Sequence, residues 1–353
     1  YTIDVTPMSA ADISDIEVIN NTGGTISSTS DRALGIREFD ANDTIEIINR
    51  GTIAAGRDNA LDLTDSDNVT INNDGGTISA TGDLAVNLSG AELISLTNGE
   101  GGRIAAGGDL AVNLDGLVGA SAIVTNLGSI TSAASGAIAG ALTASVDYIS
   151  ITNRSSGTNT AVIASLGNTE ADLSAASSTG TIFFTGAASI SNVEVTNSGT
   201  ILVGSVATDD AVEVEGDNAI RFNDIGAASV VITNSGEGKI VATGDRAIFI
   251  TADTTNDLVR FTLRNEDTAA IQADNNVIVV GDAAANDDTD GTIVSIINEG
   301  SIQATASDAD HLLKFTGISR EFSLTNSGTI ASAGDGAINV AFGVDAADDD
   351  DVV

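Results

Sequence analysis

One phrase recurs along almost the whole chain and constrains the fold more than any other feature. It has the form apolar-Thr-Asn-x-Gly-Thr-Ile and is clearest in residues 195–201 and 324–330. Its Asn marks eleven copies: Asn20, Asn49, Asn73, Asn98, Asn126, Asn153, Asn197, Asn234, Asn265, Asn298 and Asn326. The interval between markers is irregular, and the largest gap, Asn153 to Asn197, holds either a degenerate repeat or an insertion. Repeats of about 20–50 residues are typical of solenoids and propellers.

A second phrase, Gly-Asp-x-Ala followed by alternating apolar residues, comes after the first in residues 82–88, 108–114, 244–250 and 334–340. Apolar residues alternate with period two, which predicts strands, and Asn and Gly at the turns can supply positive φ. Each repeat therefore reads as an alternating strand, an Asn-x-Gly turn, a strand of two or three residues, a Gly-Asp turn and another alternating strand.

Such short strands are not stable alone, but stacked repeats would pair each strand with its counterpart one repeat away. The sequence therefore predicts an all-β, right-handed parallel β-helix of about a dozen coils, roughly 60 Å long at about 4.8 Å per coil. A sandwich of hairpins is the rival, but adjacent hairpins do not explain one phrase repeated in the same order. We divide the chain into an N-terminal strand segment (1–15), the β-helix (16–344) and an acidic C-terminal tail (345–353).

The repeat pattern, Val/Ile-Thr-Asn-x-Gly-Thr-Ile and then Ala-x-Gly-Asp-x-Ala-Ile, resembles the β-helical passenger repeats of bacterial autotransporters and related surface proteins. The resemblance covers residues 16–344. It implies an extracellular or cell-surface location in a bacterium. It does not imply one activity, because such passengers include adhesins, proteases and stalks.

Composition removes several classes of function. The 353 residues hold 13 Lys and Arg against 50 Asp and Glu, a net charge of −37, so a nucleic-acid partner is not expected. The absence of Cys excludes disulfides and thiolate metal sites. No run of 18 apolar residues exists, so we expect no transmembrane helix.

Two rows of polar residues follow from stacking the repeats. The marker Asn residues would form either an internal hydrogen-bonded ladder or a ligand-binding row, and ladder physics favours the first. Asp58, Asp83 and Asp109 occupy the Gly-Asp turn in consecutive coils. They are either turn-forming residues, which we favour, or a row that collects Ca²⁺.

Two acidic clusters are candidate metal ligands. Required cofactors are not expected, but Ca²⁺ suits clustered carboxylate oxygens. The candidates are Asp287, Asp288 and Asp290 in a predicted loop, and Asp345, Asp348, Asp349, Asp350 and Asp351 in the tail.

Catalysis has little support. Polysaccharide-cleaving β-helices use carboxylates with a basic residue, for which Arg221 and Arg260 are candidates, but each is better explained as an outward strand residue paired with an acid. The single histidine, His311, has no Gly-x-Ser-x-Gly motif to accompany it. We therefore expect no catalytic residues and no enzyme activity.

The ends of the solenoid suggest a function. No helix or polar cap is evident at either end, which fits a chain cut from a longer solenoid or subunits that stack end to end. The predicted assembly residues are Tyr1, Ile3 and Val5 at one end and Ile338, Val340 and Val344 at the other. The leading expectation is a structural subunit of an extracellular fibre, surface layer or matrix, with itself as partner. The alternatives are a passenger adhesin or stalk that binds a glycan or host-surface receptor and, more distantly, a polysaccharide-cleaving enzyme.

Overall fold

In the part of the chain that the structure describes, the regular elements are all β-strands. The computed structural model describes residues 3–5, 15–37, 39–133, 136–165, 180–186, 189–204, 218–223, 225–244, 246–252, 258–281, 292–306, 311–318, 320–334, 336 and 338–342. Within them, 34 strands, β1 to β34 in chain order, form three parallel sheets that we call A, B and C.

Each sheet takes every third strand of the chain. Sheet A has twelve strands: Ile3–Val5 (β1), Leu34–Ile36 (β4), Leu61–Asp62 (β7), Val86–Asn87 (β10), Val112–Asn113 (β13), Ile138–Ala141 (β16), Gly180–Thr185 (β19), Asn218–Asn223 (β22), Arg246–Thr251 (β25), Ile278–Gly281 (β28), Leu313–Ile318 (β31) and Ile338–Phe342 (β34). Sheet B has eleven: Asp15–Asn20 (β2), Phe39–Asn49 (β5), Ser66–Asn73 (β8), Leu93–Asn98 (β11), Gly119–Asn126 (β14), Val146–Asn153 (β17), Ser189–Asn197 (β20), Gly226–Asn234 (β23), Arg260–Asn265 (β26), Ile293–Asn298 (β29) and Glu321–Asn326 (β32). Sheet C also has eleven: Thr25–Ser28 (β3), Thr52–Ala55 (β6), Thr77–Ala80 (β9), Arg103–Ala106 (β12), Ser129–Ser132 (β15), Val162–Ser165 (β18), Thr200–Val203 (β21), Lys239–Ala242 (β24), Ala270–Ala273 (β27), Ser301–Ala304 (β30) and Thr329–Ser332 (β33).

One coil runs from sheet A to sheet B, through the Asn turn to sheet C, and back to sheet A. Each strand pairs in parallel with its counterpart one coil away, which confirms the predicted right-handed parallel β-helix. The sheet C strands have four residues, so the predicted length of two or three was too short. The longer strand gains a fourth pair of ladder positions with each neighbouring coil.

The core consists of apolar columns that run along the rod. In sheet C, Ile53, Ile78, Ile104 and Ile130 pair directly across four coils and are completely buried. Burying one such side chain contributes about 1.5–3 kcal/mol. The column also fixes the register, since a slip of one residue would turn each isoleucine outward.

The core is mostly aliphatic but also contains aromatic rings. Four phenylalanine side chains are fully buried in it: Phe184, Phe222, Phe261 and Phe315. The rings of Phe184 and Phe222 stack with their centroids 6.0 Å apart. These four buried rings all lie in the second half of the rod.

The marker Asn residues form one continuous ladder. Each Nδ2 donates to the Oδ1 of the next marker Asn at 2.7–2.9 Å, giving ten successive links from Asn20 to Asn326. The same Nδ2 atoms also donate to the first carbonyl of the sheet C strand in the following coil, as from Asn126 to Val162 at 3.0 Å. The ladder therefore ties sheet B to sheet C and each coil to the next.

The glycine of the Asn turn has a different role from the one predicted. Among the described residues, Asp65 is the only non-glycine with positive φ, so the ladder Asn residues do not supply it. Gly101 does have φ of 71°, in a longer turn. At Gly128, however, a Cβ atom would overlap the carbonyl oxygen of Gly102 in the preceding coil. Glycine is required there because stacked backbones approach too closely for a side chain.

The longest gap between markers contains an insertion. Asn153 and Asn197 are paired residues of β17 and β20, and their side chains are linked at 2.8 Å. They therefore belong to consecutive coils, and no additional coil lies between them.

Candidate functional site

The first and last coils of the described chain each present the edges of all three sheets. β1, β2 and β3 stand first in their sheets, and β34, β32 and β33 stand last. An edge strand presents backbone N–H and C=O groups that can pair with another strand. The two ends of the rod are therefore the surfaces on which a further β-strand layer can form.

The apolar core reaches the surface at these two ends. Among the described residues, eight apolar side chains that pack on the core stay only partly buried: Val5, Ile16, Val18 and Ile26 in the first coil, and Phe322, Leu324, Ile330 and Val340 in the last. Ile45 and Ile47, which pair with Ile16 and Val18 from the second coil, are at most 1% exposed. The end residues are therefore core positions that have a neighbouring coil on one side only.

The structure places four of the six predicted assembly residues on edge strands. Ile3 and Val5 lie on β1, and Ile338 and Val340 lie on β34. Ile3 and Ile338 are 38% and 43% exposed. Tyr1 and Val344 lie outside the described residues.

The predicted assembly residues did not include the end residues of sheets B and C. They came only from the first and last strands in chain order, which both belong to sheet A. The usable signal was the repeat itself, because the first and last copies of every apolar column must lie at the ends.

The asparagine ladder ends differently at the two ends of the rod. At the first coil, Asn20 uses its Nδ2 for Asn49 and Thr52, and its Oδ1 accepts no hydrogen bond from the described part of the chain. At the last coil, the Oδ1 of Asn326 accepts from Asn298 at 2.7 Å, and its Nδ2 donates to the Gly328 carbonyl at 3.3 Å. One end of the ladder thus offers an acceptor and the other offers a donor.

Ionic contacts hold the first edge strand. Arg37 contacts Asp4 on β1 at 3.3 Å and Asp62 in the third coil at 3.7 Å, while Arg32 contacts Asp62 at 2.8 Å. The Asp62 side chain is 2% exposed, and its Oδ1 also accepts from Asn87 at 2.9 Å. These contacts fasten β1 to the second and third coils.

His311 lies at the opposite end of the rod. The Nδ2 of Asn339, on the last sheet A strand, lies 3.3 Å from His311 Nε2 and donates to it in the tautomer that carries the ring proton on Nδ1. The contact positions Asn339 at the edge and gives His311 a structural partner.

The described acidic residues do not assemble a metal centre. Among them, no group of three or more His, Cys, Asp or Glu side chains is placed to hold an ion. Burial raises the pKa of Asp83, and the charges of Asp109 and Asp58 raise it further. These three carboxylates therefore form a repelling row. The predicted ligands Asp287, Asp288, Asp290, Asp345, Asp348, Asp349, Asp350 and Asp351 lie outside the described residues.

Arg221 lies in an aromatic environment on the outer face of sheet A. It is 6% exposed, and its guanidinium carbon lies 5.0 Å from the ring centroid of Phe249 and 5.8 Å from that of Phe183. Arg246 covers the Phe249 ring from 4.6 Å. Cation–π contacts of this kind stabilise neighbouring coils. Arg260, the other candidate, is exposed on β26.

No family model, no curated protein and no solved structure matches this chain. Across the described residues there is also no helix with the length and hydropathy needed to cross a membrane. The repeat pattern and the parallel sheets therefore carry the functional inference alone.

Proposed function

We propose that this protein is a non-enzymatic structural subunit of an extracellular fibre, surface layer or matrix on a bacterial cell, and that it assembles end to end. The observation that carries the proposal is the pair of matching ends. Each end presents edges of the same three sheets and four partly exposed core side chains.

Apolar burial alone would make such a junction modest in strength. If each of the eight end residues gained about half of the 1.5–3 kcal/mol of full burial, the gross contribution would be roughly 6–12 kcal/mol. Association costs an estimated 4–15 kcal/mol in lost freedom. Backbone hydrogen bonds between edge strands, and the ionic conditions, would therefore decide whether fibres grow.

The net charge of the chain favours contact between the ends of rods over contact between their sides. A net charge of −37 opposes lateral contact between rods, while salt or Ca²⁺ would screen it and permit growth. Ca²⁺ bound by the acidic tail is part of this proposal and is not required as a cofactor.

Negative-stain electron microscopy of the purified chain, with Ca²⁺ and with chelator, tests the proposal. We expect long fibres with an axial repeat of roughly 60 Å, from about a dozen coils at about 4.8 Å each. Loss of fibres in chelator would assign the metal a bridging role. Single short rods under every condition would overturn the proposal and favour an autotransporter-type passenger adhesin.

A matched pair of variants tests whether the fibres use the ends. Ile330→Asp places a charge in the apolar end layer, where the partly exposed side chain can still reach solvent, and should abolish fibres. Ala331→Asp adds the same charge to the exposed outer face of the same strand and should leave fibres intact. Equal loss in both variants would show that total charge, and not the end layer, controls assembly.

A further inference from the structure

We propose that a second copy of this chain docks its first coil onto the last coil in one direction and one register, both set by the asparagine ladder. This inference rests on the proposed end-to-end function and specifies its junction. The partner is an identical chain, and Asn326 is the residue that would donate the hydrogen bond across the junction.

The direction follows from the polarity of the ladder. All ten links run the same way, with Nδ2 donating toward the C-terminal end. A head-to-tail junction would bring the Nδ2 of Asn326 to the Oδ1 of Asn20 in the second copy. Two like ends would instead face donor with donor or acceptor with acceptor. The contact is therefore heterologous and does not close, which is the geometry of a filament.

The chain contains an internal template for the register. Residues 196–201 and 325–330 share the identical sequence Thr-Asn-Ser-Gly-Thr-Ile. The turn that stacks on the first of these, from Asn234 to Lys239, has the same length as the turn from Asn20 to Thr25. The coil of Asn197 and the next coil, that of Asn234, thus bring together two turns of the same sequence or length as those that would meet at the junction.

That internal step supplies the contacts to expect. Asn197 donates through Nδ2 to Asn234 Oδ1 at 2.8 Å and to the Lys239 carbonyl at 3.1 Å. In return, the backbone N–H of Ser235 donates to the Asn197 carbonyl, and that of Lys239 to the Gly199 carbonyl, both at 2.8 Å.

Transferred to the junction, the same pattern uses the groups at the two edges. Asn326 Nδ2 would donate to Asn20 Oδ1 and to the Thr25 carbonyl of the second copy. The backbone N–H groups of Asn21 and Thr25 in that copy would donate to the carbonyls of Asn326 and Gly328.

The register also aligns the apolar columns. With Asn20 set on Asn326, like positions of the three sheets meet: Ile16 on Phe322, Val18 on Leu324, Ile26 on Ile330, Ile3 on Ile338 and Val5 on Val340. On the outer face the register places Asp15 on Glu321. Because these like charges repel, the junction should form more readily as salt rises.

Disulfide cross-linking tests direction and register together, because the chain contains no cysteine. Asn21→Cys and Ser327→Cys are made in separate chains, mixed and oxidised. Adjacent coils are about 4.8 Å apart, within the Cα separation that a disulfide spans. We expect heterodimers to exceed either homodimer at least about tenfold. Homodimers formed as readily as heterodimers would overturn the direction.

A second variant isolates the ladder link. Asn326→Asp keeps the side-chain oxygen that accepts from Asn298 Nδ2. It replaces the Nδ2 donor with a carboxylate oxygen, which would face the Oδ1 of Asn20 in the second copy. We expect at least about a tenfold loss of heterodimer when it is added to the Ser327→Cys chain. Asn192→Asp makes the same change on the exposed side of the rod and should have no effect. Equal effects of the two variants would overturn the role of Asn326.

The outcomes separate this inference from the proposed function. Fibres of the unaltered chain without the predicted heterodimer would refute the register and leave end-to-end assembly standing. Single rods together with no cross-linking would refute both.

Discussion

Removing one rung from the middle of the asparagine ladder should destabilise the rod far more than removing the last rung. Asn126 is completely buried, accepts from Asn98 Nδ2 at 2.8 Å and from the Gly128 N–H at 3.2 Å, and donates to Asn153 Oδ1 at 2.8 Å. The substitution Asn126→Ala deletes these contacts at once.

The cost comes from the partners that lose their only bond. Asn153 Oδ1 accepts no other hydrogen bond from the described residues, and it lies in a fully buried side chain. Leaving a buried polar atom unpaired costs about 1–3 kcal/mol, and the half-buried Gly128 N–H adds a smaller amount. Asn98 Nδ2 keeps its bonds to the Gly102 and Ser129 carbonyls, so it adds little. The expected loss is about 2–4 kcal/mol.

The control is Asn326→Ala, at the exposed end of the same ladder. It removes bonds to Asn298 and Gly328, but Asn298 Nδ2 keeps its bonds to the Gly300 and Thr329 carbonyls and Gly328 is only half-buried, so about 1 kcal/mol or less should be lost.

Unfolding of a repeat protein need not be two-state, so the assay should be local as well as global. Urea unfolding gives the overall midpoint, and amide hydrogen exchange gives the opening free energy of each coil. Protection should fall most in the coils of Asn98, Asn126 and Asn153. Equal losses in Asn126→Ala and Asn326→Ala would refute the claim that buried ladder pairing stabilises the rod.

Two further substitutions, each with a control variant, test backbone packing between coils and charge repulsion along the rod. Gly128→Ala should destabilise the rod by about 1–3 kcal/mol or more in urea unfolding, because the new Cβ overlaps the Gly102 carbonyl. Gly101→Ala meets no atom within 4 Å and should cost only about 1 kcal/mol for its positive φ. Asp83→Asn should raise Tm at pH 7 and leave it unchanged at pH 3. The raised pKa of Asp83 means that the folded state holds this proton more tightly, so stability from this site grows as the pH falls through that pKa. The gain should stay below about 1 kcal/mol, and Asp147→Asn, at an exposed position, should show none.

The sequence predicts the fold well because the decisive signals repeat in every coil. Period-two alternation marks the strands, and one Asn per copy marks where sheet B ends. A single weak turn signal could mislead, but eleven aligned copies cannot all mislead in the same way. The length of the sheet C strands and the reason for Gly128 were not predictable, because both depend on contacts between stacked coils.

In the candidate site, too, the features that belong to the repeats could be predicted from the sequence and the others could not. The apolar end residues can be predicted from the first and last copies of each column, although the predicted assembly residues came only from sheet A. The contacts of Arg37 with Asp4 and Asp62 could not be predicted, since these residues stand outside the repeated phrases. Nor does the sequence give the direction in which the amides donate, because that depends on how each Asn side chain lies between two coils.

The end coils carry the same residue pattern as the inner coils, and this likeness connects the stability of the rod with the proposed assembly. A coil whose outer surface must face water would be expected to replace the inward Leu324 and Ile330 with polar residues. Here they remain apolar, and residues 325–330 repeat the inner sequence of 196–201 without change. The sequence at the two ends therefore permits the contacts seen between Asn197 and Asn234 to form between Asn326 and Asn20 of a second copy. If the proposed junction forms, one mechanism stabilises both the coils within a rod and the contact between rods, and a substitution that weakens it at Asn326 should affect the fibre while sparing the rod.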